Sequence, residues 1–183
     1  NDSSIPSVNI DYFQAAMDAI QLFINKGHKE IAFVSGPLEY TINGEHKLGA
    51  YKQALQQANI EINEQLIDAT DGTYDEALLS WESFVQKAHV PTAIFAGSDE
   101  IALGIIHAIQ DAGKRVPEDV EVISFENSKL ARMIRPQLTS VALPLYDIGA
   151  VSMRLLTKLL NKEEVPDKNV ILPYRIETRK STK

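Results

Sequence analysis

The sequence predicts an α/β protein built on a doubly wound parallel sheet, and three observations carry that prediction. Strand-like runs alternate with helix-like segments along most of the 183 residues. The runs 92–96 and 120–124 are short and apolar without alternation, as strands covered on both faces are. Polar turns follow these strands where helices begin, and open sheets of this class bind ligands at such turns.

The elements follow in order. A strand at 7–10 precedes a helix over 12–26, which Gly27 closes; a strand at 29–35 leads to a helix near 43–58. A strand at 65–70 is followed by a helix over 74–88, opened by the capping box of Thr73 and Glu76. After strand 92–96, Ser98 is placed to N-cap the next helix, Asp99 and Glu100 sit in its first turn where the helix dipole favours acids, and Gly113 stops it. Strands follow at 120–124 and 137–141. Pro144 then opens a helix running to about residue 161, and two short strands, 169–172 and 174–178, end the chain. The block 12–141 supplies a whole doubly wound sheet, so strand 7–10 and helix 144–161 fall outside it with apolar faces they cannot bury alone.

Composition limits the functions open to the chain. With 44% apolar residues it buries a real core, and its net charge of −7 argues against gripping a phosphate backbone through this segment. There is no cysteine, hence no disulfide and no thiolate metal site, and no apolar run of membrane-spanning length. Catalysis finds no support. His28, His46, His89 and His107 lack metal-ligand spacing, and the GxSxG, GxxxxGK and GxGxxG patterns are missing. His28, after Gly27, and His107, on an apolar helix, read as capping and core residues. The acids Asp68, Asp71, Asp75 and Glu76 span a strand end and a helix start, where acids are expected without a metal. No cofactor and no metal site is expected.

Three constellations remain. Strand ends at 98–99 and 126–127 bring Ser98, Asp99, Glu126 and Asn127 to one edge of the sheet. Ile101, Leu103, Ile105, Ile106 and Ile109 make the helix after Ser98 apolar nearly all round, which fits burial by a second chain, with cover by its own domain as the competing reading. On helix 144–161, Asp147, Arg154 and Lys158 lie within roughly 20° of one line, while Ile148, Leu155, Leu156 and Leu159 form the core stripe. Two cations four residues apart repel unless an anion lies between them, and a phosphate fits; a solvated helix face is the competing reading.

The stretches SGPLEYTINGEHKLGAYKQAL, PTAIFAGSDEIALGIIHAIQDAGKRVPEDVEVISFEN and RPQLTSVALPLYDIGAVSMRLLTKLLNKE closely resemble the effector-binding domain of the lactose-repressor (LacI/GalR) family of bacterial transcription regulators, over about residues 7–183. Within that family the last stretch is most similar to members exerting carbon catabolite control. The resemblance implies a periplasmic-binding-protein-like fold of two subdomains joined by three crossovers, here near Ile10, Ala142 and Pro173. It divides the chain into a partial N-terminal subdomain, 1–11 and 143–172, and a C-terminal subdomain, 12–142 and 173–183, with the helix-turn-helix DNA-binding head outside this chain. The partial subdomain is expected to pack incompletely, leaving Ile148 and Leu155 in solvent.

It also implies site roles. Arg154 and Lys158 match a pair that binds the phosphoserine of the histidine-containing phosphocarrier protein, Asp147 an acidic contact to the same partner, and Tyr146 a crossover position beside it. Lys47, Ser98, Asp99 and Glu126 fall where sugar- or purine-binding members place polar contacts. Lys47 replaces the usual arginine, and Gly72 aligns with the aromatic platform for a sugar ring. A sugar inducer is therefore disfavoured, while a phosphorylated sugar metabolite remains compatible with Lys47. Ile101, Leu103 and Ile106, with Leu130, Met133 and Ile134 on a loop, match the homodimer interface. The resemblance thus implies a cytoplasmic, dimeric regulator that reaches operator DNA through the head and has no membrane role. A sugar-binding regulator or an extracytoplasmic sugar receptor of the same fold is the alternative.

Overall fold

A computed structural model describes residues 5–38 and 42–183, and its backbone alternates strand and helix: β1 (Ser7–Asn9), α1 (Tyr12–Asn25), β2 (Ile31–Ser35), α2 (Ile42–Gln57), β3 (Ile67–Ala69), α3 (Tyr74–Gln86), β4 (Ala93–Ala96), α4 (Asp99–Asp111), β5 (Glu121–Glu126), α5 (Lys129–Met133), β6 (Thr139–Ala142), α6 (Leu145–Leu160), β7 (Asn169–Ile171) and β8 (Arg175–Glu177). Residues 39–41, inside the first family-like stretch, lie outside the described residues.

The expected capping serine and threonine are in place, although the Thr73–Glu76 box is not closed, since the Thr73 N–H donates to Asp71 Oδ1 at 2.8 Å and not to Glu76. Ser98 accepts the backbone N–H of Ile101 and opens α4, while the Thr73 hydroxyl accepts that of Glu76 and opens α3. Gly27 and Gly113 take the left-handed conformation that ends α1 and α4, as the sequence predicts. The segment read as a strand from residue 65 begins instead as a 3-10 turn, Glu64–Leu66, capped by Asn63, which leaves β3 three residues long. The loop holding Leu130 and Met133 is the short helix α5, capped by Ser128.

The main sheet has six strands in the order β3-β2-β4-β5-β6-β8, parallel except for β8, which runs antiparallel to β6. Alternate strand residues feed two cores. Ala32, Val34, Ile94, Ala96 and Val122 pack against α3, α4 and α5; Ile31, Phe33, Phe95, Ile123 and Phe125 pack against α1 and α2. Helices thus cover both faces of the sheet. Phe33 stacks on Phe95 at 5.8 Å, and Phe95 meets Phe125 edge-on at 6.3 Å, so one aromatic row crosses three strands.

A separate two-stranded sheet pairs β1 with β7 in parallel, and α6 packs on β1. The chain passes between the two sheets three times, at 10–11, 143–144 and 172–174. In the main body α1, α3 and α4 each bury several side chains, whereas α6 buries none, although it is as amphipathic as they are. Ile148 and Leu155 are half-buried rather than fully exposed: Ile148 packs at the rim of the α1–α2 core, and Leu155 borders the segment at 165–170.

Candidate functional site

The order β3-β2-β4 puts a topological switch between β2 and β4, and the crevice outside the carboxyl ends of such strands is where this architecture binds ligands. A cleft of about 320 Å³ lies there, with Ser35, Gly36, Lys47, Gly72, Ser98 and Glu126 in its wall. Backbones approach closely on this edge. A Cβ on Gly97 would stand 2.7 Å from the Ser35 hydroxyl, and one on Gly36 would stand 3.3 Å from the Gly72 Cα. Gly72 takes φ at +93°, a backbone conformation that strains any side chain, so the position expected to align with an aromatic platform carries no ring here.

Lys47 rises from α2 into this cleft and is 8% exposed, the one buried lysine among the described residues. Its Nζ donates to the Gly97 carbonyl at 2.9 Å and lies 4.2 Å from the centre of the Phe125 ring. Burial lowers its pKa to about 8, an effect the Glu126 charge partly offsets. Glu126, at the end of β5 with φ at +111°, has its carboxyl pushed up first by desolvation and then by the Asp99 charge, with Lys47 opposing.

Asp99 departs from expectation. It does not border the cleft: it is 1% exposed, and its carboxylate accepts the Ser124 hydroxyl at 2.6 Å, the Ser140 hydroxyl at 3.1 Å and the backbone N–H of Ser128. A buried carboxylate needs such donors, so Asp99 serves as an internal brace that holds the ends of β5 and β6 and the loop carrying Glu126. Asn127 is likewise engaged, its side-chain oxygen accepting from Arg179 at 2.6 Å. Of the expected cleft residues, the structure brings together Lys47, Ser98 and Glu126.

On α6, Arg154 is exposed and Lys158 half-buried, and neither side chain makes an ion pair or hydrogen bond among the described residues. Both border a hollow of about 220 Å³ with Val151, Leu155, Val165 and Asp167. Tyr146, 87% exposed, and Asp147 border a different hollow near Tyr174 and Arg175, roughly 12 Å back along the helix from Arg154. The four residues therefore share a helix but not one pocket.

The apolar helix α4 is covered mainly from within the chain. Ile101, Ile106 and Ile134, expected at an interface between two chains, are buried in the core that α3, α4 and α5 build, where Gly104 lets α3 approach so closely that a Cβ there would meet the Tyr74 carbonyl at 2.6 Å. They offer no area to a partner. Leu103 is half-buried, and Leu130 and Met133 are exposed. His107 is half-buried and accompanies Tyr74, whose hydroxyl lies 2.8 Å from its Nδ1.

Sequence reasoning missed the partners of these groups. Ser124 and Ser140 lie 25 and 41 residues from Asp99, and nothing local marks a serine on a buried strand as a carboxylate donor. Tyr174 donates to Asp18 at 2.6 Å, tying the third crossover to α1; a tyrosine beside Pro173 was the only signal.

Residues 20–182 match the family of periplasmic binding protein-like domains. The chain is 54% identical over 181 residues to catabolite control protein A of Priestia megaterium, an alignment that covers 99% of this chain and 54% of that protein. Its fold is similar to the crystal structure of the transcription regulator CcpA of Lactococcus lactis, with a TM-score of 0.91 and 40% identity over 100% of this chain and 66% of that one. The transcriptional regulator CelR, in a cellobiose complex, matches with a TM-score of 0.91 and 30% identity over 99% of this chain and 55% of that one. This chain spans about half the length of the curated relatives it matches, and those relatives are named as regulators, not enzymes.

Proposed function

The chain belongs to the periplasmic binding protein-like family and is homologous to catabolite control protein A, and on that premise we propose that it forms the effector and corepressor side of a bacterial transcription regulator exerting carbon catabolite control. Its partner on this reading is the serine-phosphorylated histidine-containing phosphocarrier protein. The observation that carries the reading is the couple Arg154 and Lys158 beside one hollow: two cations held a turn apart, without a carboxylate in contact among the described residues, are set for a shared phosphate. Tyr146 and Asp147 would meet the partner's surface one hollow away. Asp167 on the opposite wall would disfavour anions bound deeply, which suits a phosphate presented on a protein surface.

The two sheets give this reading its mechanics. On this reading the described residues up to 11 together with 143–172 form a first subdomain, those of 12–142 together with 173–183 a second, and the three crossings between the sheets act as the hinge. A corepressor seated on α6 favours one orientation of the subdomains and thereby the spacing of DNA-binding heads in a cytoplasmic homodimer. Operator and corepressor then strengthen each other by about 1 to 3 kcal/mol. The exposed Leu130 and Met133, with half-buried Leu103, supply the apolar surface for that dimer.

A sugar-responsive regulator is the second reading, favoured by the likeness to CelR in its cellobiose complex. Against it, the cleft has Gly72 for a platform and Lys47 bound to the Gly97 carbonyl. Calorimetric titration separates the two. Arg154→Glu should abolish binding of the phosphorylated carrier while circular dichroism stays unchanged; undiminished affinity rejects the site, and heat from cellobiose with none from the carrier favours the sugar reading.

A further inference from the structure

Lys47 and Glu126 have their proton affinities displaced in opposite directions at one cleft, and nothing in the corepressor reading uses either. Among the described residues Lys47 has no carboxylate in ion-pair contact; one N–H is given to the Gly97 carbonyl, and the Phe125 ring lies against the amine. Lys47 also lines the cleft, which has room for a small molecule. Among the described residues the cleft's other acid is Asp71, while Asp99 is buried with its oxygens engaged by the two serines and the Ser128 N–H, and Tyr12 backs the Phe125 ring at 6.0 Å. Asp71 and Glu126 together discourage anions but not a neutral carbonyl compound.

We propose that Lys47 is a covalent capture site for a small neutral aldehyde, such as the open-chain form of a short hydroxyaldehyde, with Glu126 as its proton donor. The free amine of Lys47 attacks the carbonyl carbon and gives a carbinolamine after a proton moves from nitrogen to oxygen. Glu126 protonates the hydroxyl, water leaves with the C–O electron pair, and the nitrogen lone pair forms the C=N bond. The product is a protonated imine whose remaining N–H can still donate to the Gly97 carbonyl; Glu126 is reprotonated from solvent, and hydrolysis reverses the capture. No oxidant or reductant is needed.

The environment suits each role. With its pKa near 8, about a tenth of Lys47 is free amine at pH 7, against about one part in 3,000 for an exposed lysine. Glu126 lines the same cleft as Lys47, and desolvation followed by the Asp99 charge raises its carboxyl, the direction a proton donor needs.

The test incubates the protein with glycolaldehyde and cyanoborohydride at pH 7, which fixes the imine as a stable amine, and follows each lysine by peptide mass spectrometry. Lys47 should be alkylated at least about tenfold faster than the exposed Lys87 and Lys114. A Lys47 rate at or below theirs overturns the proposal. Glu126→Gln distinguishes a proton donor from a bystander charge: losing the charge alone would free more amine and speed labelling, whereas losing the acid should slow it several-fold. An unchanged or faster rate in that variant overturns the assignment of Glu126. The labelling does not involve the carrier protein, so it fails or succeeds separately from the α6 reading.

Discussion

The six-stranded body and the small β1–β7 sheet with its helix α6 are built by the same local rules but end in different states. In the body, α4 fills a core with Ile101, Ile105, Ile106 and Ile109, all nearly inaccessible. On α6, Leu145, Met153, Leu156, Leu159 and Leu160 repeat at similar spacing and stay exposed. Periodicity specifies that a face is apolar, and only the neighbouring elements decide whether it is buried. The polar groups differ in the same sense. Asp99 and Lys47 in the body are enclosed and bonded, whereas Arg154 on α6 stands unpaired in solvent.

Truncating one apolar side chain in each region, buried on α4 and exposed on α6, gives the largest contrast. Ile105→Ala should cost about 4 kcal/mol in urea unfolding, while Leu156→Ala on α6 should cost under about 1 kcal/mol. Comparable losses would mean that α6 is packed as tightly as the body.

Lys47 provides the next test, through pH. Its pKa is lower in the folded than in the unfolded chain, so between about 8 and 10.5 the unfolded state binds more protons and folding gains stability as pH rises. Below pH 8 the full cost of enclosing the ammonium is present. Lys47→Met removes it, so the stability difference between variant and parent should shift by up to about 3 kcal/mol in the parent's favour from pH 7 to 10.5. A pH-independent difference would show that Lys47 keeps its proton as an exposed lysine does.

The smallest effects come from two glycines within helices. Gly104→Ala drives a Cβ into the Tyr74 carbonyl and the Ala77 side chain, and should cost about 2 kcal/mol even after the gain in helix propensity. Gly149→Ala on α6 meets nothing within 4 Å and should stabilise the helix by up to about 1 kcal/mol. Opposite signs from one substitution would express the difference between the regions most plainly; equal signs would break it.

The body was readable because its signals are local. Runs such as Ile31–Ser35 lack alternation, Ser98 and Thr73 cap in their own turns, and Gly27 and Gly113 stop helices where only a left-handed residue fits. The direction of β8 was not readable, because a two-residue period is the same whichever way a strand runs. Asp99 was misassigned because an acid after a capping serine looks alike whether it faces solvent or two serines from distant strands. Ile101 and Ile106 were assigned to a second chain because an all-round apolar helix does not say which neighbour covers it, and here α3 and α5 do. At α6 the cationic stripe was legible, but the separation of Tyr146 and Asp147 into another hollow depends on where the segments at 165–170 and 173–175 return.

The claim on which the functional account turns is that Arg154 and Lys158 hold a phosphate together rather than a protein surface in general. Isothermal titration of the parent and of Arg154→Ala with the carrier protein, in its serine-phosphorylated and unphosphorylated forms, tests it directly. The account predicts that Arg154→Ala weakens the phosphorylated form at least about tenfold and leaves any residual binding of the unphosphorylated form unchanged. Equal losses for the two forms would contradict it.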